Sequence, residues 1–131
     1  SDIFDKKIKW TAPNGTEQTY KIYQRNDINW DLVRTKGDIR YIGKTNKEAA
    51  QAGHRPQLED GNFVTLHHIS QSSKGPIVEA STQYHSFQNQ VAFKSLHGTH
   101  GVGKKHPTNP VNHEVWKKEQ EEYWKVRIEN K

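Results

Sequence analysis

The alternating apolar run Phe63-Val64-Thr65-Leu66 reads as a half-buried strand, and it ends on two adjacent histidines, His67 and His68. Successive side chains of an extended chain point to opposite faces. One imidazole can therefore face a packed helix while the other faces an open groove. A third histidine, His85, follows on an expected helix. The chain must build a strand, a return and a helix around these residues. Taken alone, a His-His pair is equally compatible with a solvated or structurally hydrogen-bonded role, because histidine is common at half-buried positions.

The core available to hold such a unit is small. The 131 residues suit one domain, but only 31% are hydrophobic and the mean hydropathy is −1.10. Four Trp, five Tyr and four Phe supply the apolar surface that the aliphatic residues do not, so the chain is read as folded. It has no cysteine. Disulfides and thiolate zinc knuckles are excluded, any metal must sit on imidazole, amide, carboxylate or water, and the redox compartment stays unread. No apolar stretch is long enough to cross a membrane, and no signal peptide opens the chain. Its start at Ser1 reads as that of a domain taken from a longer protein.

Charge is unevenly spread. The net charge of +5 and pI near 9.4 favour an anionic partner. From Ala80 to Asn112 there is no Asp or Glu, whereas His85, Lys94, His97, His100, Lys104, Lys105 and His106 all fall inside. Such a segment attracts phosphate, although a solvated basic loop would have the same composition. Acidic residues gather in Glu59-Asp60 and in Glu119, Glu121 and Glu122.

Local patterns divide the chain into an opening β part and a closing α part. Lys7–Thr11 and Thr19–Gln24 are expected to form a hairpin around Pro13-Asn14-Gly15. A connector over Asp27–Arg34 leads to a short helix, Lys47–Ala52, capped by Thr45 with Glu48 three residues on and stopped by Gly53. Strand Asn62–Ile69, a polar loop, strand Pro76–Ala80 and a helix capped by Ser81 or Thr82 make a β-β-α unit. On that helix Tyr84, Phe87 and Val91 face the core, and His85 and Asn89 share the adjacent stripe at i, i+4, where two ligands can reach one point. Glycines at 98, 101 and 103 end it and open a basic loop through Pro107 and Pro110. A last helix, Asn112–Ile128, packs Trp116, Tyr123 and Arg127 along one side.

Leu66-His67-His68, Gly75-Pro76-Ile77-Val78-Glu79, Tyr84-His85, Leu96-His97 and Tyr123-Trp124-Lys125-Val126-Arg127 together resemble the LHH branch of the HNH/endonuclease VII superfamily. These are nuclease domains found at the C-terminal tips of bacterial polymorphic toxins, such as those of contact-dependent inhibition. The stretch Tyr23–Trp30 resembles the lead-in of such tips. The resemblance implies an α+β fold with a ββα-metal (His-Me finger) core, an N-terminal β-hairpin region and a C-terminal helix. As one domain this divides into a lead-in over 1–60, the ββα core over 61–97, and the basic loop and last helix over 98–131.

Carried over residue by residue, the resemblance implies that His67 and His85 are metal ligands and His68 is the general base. The remaining ligand is Asn89 or His97. His97 is twelve residues beyond His85, about 18 Å of rise on one unbroken helix, so it reaches the same ion only if the helix ends and the chain folds back. Glu79 is a candidate to orient a histidine from behind it. Lys94, Lys104, Lys105 and Arg127 are candidate phosphate contacts, with a structural role beside Trp124 open for Arg127. The cofactor is one divalent ion, Zn²⁺, Mg²⁺, Mn²⁺ or Ni²⁺.

The expected activity is phosphodiester hydrolysis, with DNA favoured over RNA. The expected partner is an acidic immunity protein, and the expected place of action is the cytoplasm of a target cell after delivery as part of a larger toxin. Two other classes fit parts of the sequence. A non-catalytic nucleic-acid-binding module explains the basic, aromatic composition but needs no His pair followed by a helix histidine. A structural zinc domain would close all four ligands around the ion. Plasmid cleavage with and without EDTA separates the three.

Overall fold

The computed structural model describes residues 3–12, 19–69, 75–85 and 113–131, with the backbone alone for Tyr84, His85 and His113. Two antiparallel hairpins make one sheet. In the first, β1 (Lys6–Thr11) pairs with β2 (Thr19–Gln24), setting Ile8 opposite Ile22 and Trp10 opposite Tyr20. In the second, β3 (Val64–His68) pairs with β4 (Ile77–Ser81), setting Leu66 opposite Glu79 and His68 opposite Ile77. The expected Pro13-Asn14-Gly15 turn and most of the β3–β4 loop lie outside the described residues.

A short parallel contact, Ile22 beside Ile77 and Tyr23 beside Val78, joins the hairpins in the order β1-β2-β4-β3. The opening hairpin is thus half of the sheet that carries the histidines. β4 becomes an interior strand, and all five of its residues are buried, Glu79 included.

The mixed sheet with its helices bears out the α+β expectation. After β4 the chain turns into a 3-10 turn, Thr82–His85, whose start is held by a hydrogen bond from Gln83 N to Ser81 Oγ at 3.1 Å. That agrees with Ser81 as the cap. The rest of the expected helix, with Phe87, Asn89 and Val91, lies outside the described residues.

One face of the sheet is closed by the last helix, α2 (His113–Glu129). Trp10, Tyr20, Ile22, Val64, Leu66 and Ile77 from the strands meet Trp116, Tyr123, Trp124 and Ile128 from the helix in one buried cluster. Aromatic rings supply much of it, as the composition requires. Trp10 meets Tyr123 edge-on at 5.4 Å, and Tyr123 meets Trp124 at 5.0 Å. Each such ring removes on the order of 150–250 Å² from water, which is how a chain poor in aliphatic residues still closes a core.

The segment between the hairpins is fastened by buried amides. α1 (Asn46–Gln51) has the expected capping box: Thr45 Oγ1 accepts from Glu48 N, and Glu48 Oε1 accepts from Thr45 N. Gly53 ends the helix at φ +91°, and a Cβ there would stand 3.1 Å from Glu121 Cβ, so glycine also lets the end of α1 approach α2. Asn46 Nδ2 donates to Asn29 O and Gln57 O, while Gln57 Nε2 donates to Thr35 Oγ1 and Gly61 O. Both amides are essentially inaccessible, so these bonds fix the path that delivers the chain to β3.

Candidate active site

The pleat of β3 separates the two histidines as expected. Val64, Leu66 and His68 are buried on the face under α2, while Thr65 and His67 are half-buried on the other. His68 is only 5% exposed. Its ring lies 4.2 Å from that of Trp116 and 5.6 Å, edge-on, from that of Tyr20. Tyr20 in turn donates its hydroxyl to Glu119 Oε1 at 2.9 Å, one helical turn beyond Trp116. Burial and then the Glu119 carboxylate push the Tyr20 phenol well above its ordinary pKa, so it remains a donor. The sheet and α2 thereby hold the His68 ring from two sides.

Next to this pocket, Glu79 occupies the middle of the interior strand with no exposed surface. Its Oε1 accepts from Arg25 N at 2.7 Å and Arg127 Nη2 at 3.2 Å, and its Oε2 accepts from Tyr123 OH at 2.6 Å and Arg127 Nε at 2.8 Å. Two bonds to each oxygen fill the carboxylate's acceptor capacity. Arg127 Nη2 also donates to Arg25 O at 2.9 Å, and Gln24 Nε2 donates to Tyr123 OH at 2.9 Å. Burial works against the charge of Arg127, but the facing carboxylate outweighs it and the pKa ends raised. Burial, followed by the charge of Glu79, drives the Tyr123 phenol far above its usual range. Burying this ion pair is tolerable because its polar atoms are bonded.

Residues 45–130 match a family described as LHH, a nuclease of the HNH/ENDO VII superfamily with conserved LHH. The match spans most of the chain and includes Leu66-His67-His68 at the end of β3. The chain belongs to this LHH nuclease family. No solved structure gives a significant match.

Within this LHH nuclease the expected site residues fall into three groups. His67 and His68 end one strand on opposite faces, and the backbone of His85 closes the 3-10 turn that follows the partner strand. Glu79 and Arg127, expected to orient a histidine and to contact phosphate, are placed against each other. The physical reason is register: Glu79 lies beside the middle of β3 under α2, where Arg127, at 7% exposure, is the cation that meets it. Asn89, Lys94, His97, Lys104 and Lys105 lie outside the described residues, as does the His85 side chain.

A divalent ion is general in this superfamily, and the donor chemistry of the chain suits one held by imidazole with water or an amide. His67, half-buried and away from the aromatic pocket, is a fitting donor. Among the described residues no group of three His, Asp or Glu is assembled for a metal. Sequence reading missed that Tyr20 and Trp116 enclose His68 and that Arg25 and Tyr123 share Glu79. The only available signal was the aromatic character of α2, which announced a core without naming what it covers.

Proposed function

We propose that this LHH nuclease is a divalent-metal-dependent endonuclease acting on DNA, the toxin domain of a bacterial polymorphic toxin. It is delivered as the C-terminal part of a larger protein, acts in the cytoplasm of the target cell, and is neutralised by an acidic immunity protein. The observation that carries the catalytic part is the strand-end division of labour: within the family match, His67 and His68 occupy opposite faces in different environments. The acid-free, lysine-bearing stretch from Ala80 to Asn112 supports an anionic polymer as substrate and an acidic protein as antidote.

In this reading His67 and His85, with Asn89 or His97, hold the ion. When bound, it supplies positive charge to the scissile phosphate and the leaving oxygen. His68 accepts the proton from the attacking water through a neutral imidazole, so acid weakens activity. Trp116 and Tyr20 fix the plane of that imidazole, and its small exposed area limits the reaction to a water held at the site. Glu79, Arg127, Tyr123 and Arg25 keep β4 and α2 in register behind it.

The test is plasmid cleavage by wild type and His68→Ala, with added divalent metal and with EDTA. Cleavage that needs both metal and His68 is the expected result. Wild-type-like turnover by the mutant would remove His68 from its role, and cleavage unaffected by EDTA would remove the ion.

A further inference from the structure

Just before β3, the Phe63 ring is flanked by two guanidinium groups, with Arg34 Cζ 5.2 Å and Arg55 Cζ 4.9 Å from its centroid. Arg55 is exposed, but Arg34 is 3% exposed. Arg34 Nη1 donates to Arg55 O at 2.6 Å and Asn46 Oδ1 at 3.3 Å. Its buried Nε donates to nothing. Neither arginine is paired with a carboxylate among the described residues. Asp38, on the adjoining turn, is engaged by Arg40 at 2.7 Å, and Glu59 accepts from Asn29. A buried guanidinium with an unused donor and a second one across a ring is costly to maintain without an anion. Burial, and after it the charge of Arg55, push the pKa of Arg34 down, as two such charges in proximity must.

The backbone leaves room for the missing anion. Gly37, at φ +95°, lies over the edge of Phe63, where a Cβ would stand 2.8 Å from Phe63 Cζ and 3.4 Å from Arg34 Nη2. The absent side chain therefore opens space at the fork of Arg34. By strand alternation Phe63, Thr65 and His67 share one face. Phe63 is also tied to the turn that carries His85, since Phe63 N donates to Thr82 Oγ1 at 3.0 Å and Thr82 N donates to Phe63 O at 2.8 Å.

We propose that Arg34 and Arg55, held on either side of Phe63, bind a backbone phosphate of the nucleic-acid substrate, on the same face of β3 as His67 and about 13 Å from it along the strand. The assignment rests on the nuclease reading. A paired guanidinium site suits a phosphate oxyanion because each fork can donate two parallel hydrogen bonds. Its separation from His67 makes it a contact to a neighbouring nucleotide, one that sets the register of the strand and leaves the cleaved bond to the histidines.

Anisotropy with a short DNA duplex in EDTA tests this without cleavage. Arg55→Gln is the main variant because Arg55 is exposed, and its melting temperature should match wild type. Losing one phosphate contact should weaken binding about 8-fold at 0.1 M salt and make the slope of log K on log salt shallower by about 0.9. Arg34→Lys, which keeps the charge but loses the fork, should also weaken binding. Wild-type affinity and slope in Arg55→Gln overturn the proposal. So does a variant that loses inorganic phosphate, measured as a competitor, while still binding duplex normally, or a wild type that binds no duplex. Plasmid cleavage run in parallel separates the two ideas. Cleavage by wild type with normal binding by Arg55→Gln removes the phosphate site alone. No cleavage with any divalent metal, alongside weakened binding by Arg55→Gln, removes the nuclease reading alone.

Discussion

The two faces of the sheet are built to different rules, and the adjacent residues His67 and His68 belong one to each. Under α2, polar atoms are enclosed and matched: Glu79 accepts four hydrogen bonds, Tyr20 is bonded to Glu119, and His68 is wedged against Trp116. On the other face His67 is half-buried, and Phe63 stands between two arginines that have no carboxylate. A network with its partners in place fixes geometry, whereas unbalanced charge has affinity left for a ligand. One strand thus connects a rigid backing to a surface with binding capacity, with the pair of histidines at its end.

The largest expected effect breaks the comparison at that pair. His68→Ala should reduce cleavage by on the order of 10² to 10⁴, the usual cost of losing a general base. It should also lower the melting temperature, because it leaves a hollow between Trp116 and Tyr20. His67→Ala should reduce activity and metal affinity together with little change in apo stability, since that ring is half-buried and away from the pocket. Calorimetry of metal binding and thermal melts on both variants check this. Equal destabilisation by the two mutations would erase the distinction between the faces.

Next in size is Glu79→Gln, which attacks the enclosed face alone. It leaves Arg127 buried without its countercharge, and breaking a buried pair this way costs about 3–5 kcal/mol. Denaturant unfolding should show that loss. Surviving protein should still bind divalent metal, because every bond of Glu79 goes to Arg25, Tyr123 or Arg127 and none to a histidine. Metal affinity falling in proportion to stability would bring Glu79 back toward the histidines.

How far these differences could be read from sequence follows from range. Contacts a few residues apart were legible: the Thr45 and Glu48 capping box, the stop at Gly53, the alternation that sends His67 and His68 to opposite faces, and the α2 stripe of Trp116, Tyr123 and Arg127. The parallel contact of Ile22 with Ile77 was not, because pairing across more than fifty residues leaves no local pattern. That single contact turns β4 into an interior strand and makes Glu79 a buried acid in need of Arg127. Arg34 was equally opaque. It sits in a polar connector, and its burial comes from Phe63, Asn46 and Arg55, all distant in the chain.

A smaller effect sharpens the description of the enclosed face. Tyr123→Phe removes one hydroxyl that both donates to Glu79 at 2.6 Å and accepts from Gln24 at 2.9 Å. A hydrogen bond to a charged group contributes roughly 1.5–3 kcal/mol, and the phenyl ring retains the packing against Trp10. Urea unfolding should show a loss in that range with an unchanged m-value. A loss below a few tenths would mean that Arg127 alone satisfies the carboxylate.

The smallest effect lies at the rim of the same network, where Arg25 donates Nε to Asp27 Oδ1 at 2.7 Å and Nη2 to Oδ2 at 2.9 Å. The hydrogen bonds to Arg25 lower the pKa of Asp27 against the opposing effect of partial burial. A depressed folded-state value means that the ion pair stabilises the protein above the unfolded carboxylate pKa and that this stabilisation is lost as pH falls through the folded value. Asp27 is 39% exposed, so solvent screening keeps the contribution below about 1 kcal/mol. Asp27→Asn should therefore be slightly less stable than wild type at pH 7, and the gap should close below pH of about 4. Because Arg25 Nη1 also reaches Glu79 O at 3.3 Å, a gap of several kcal/mol at neutral pH would mean that Asp27 holds Arg25 in place for the whole network, so that the enclosed face extends to the protein surface.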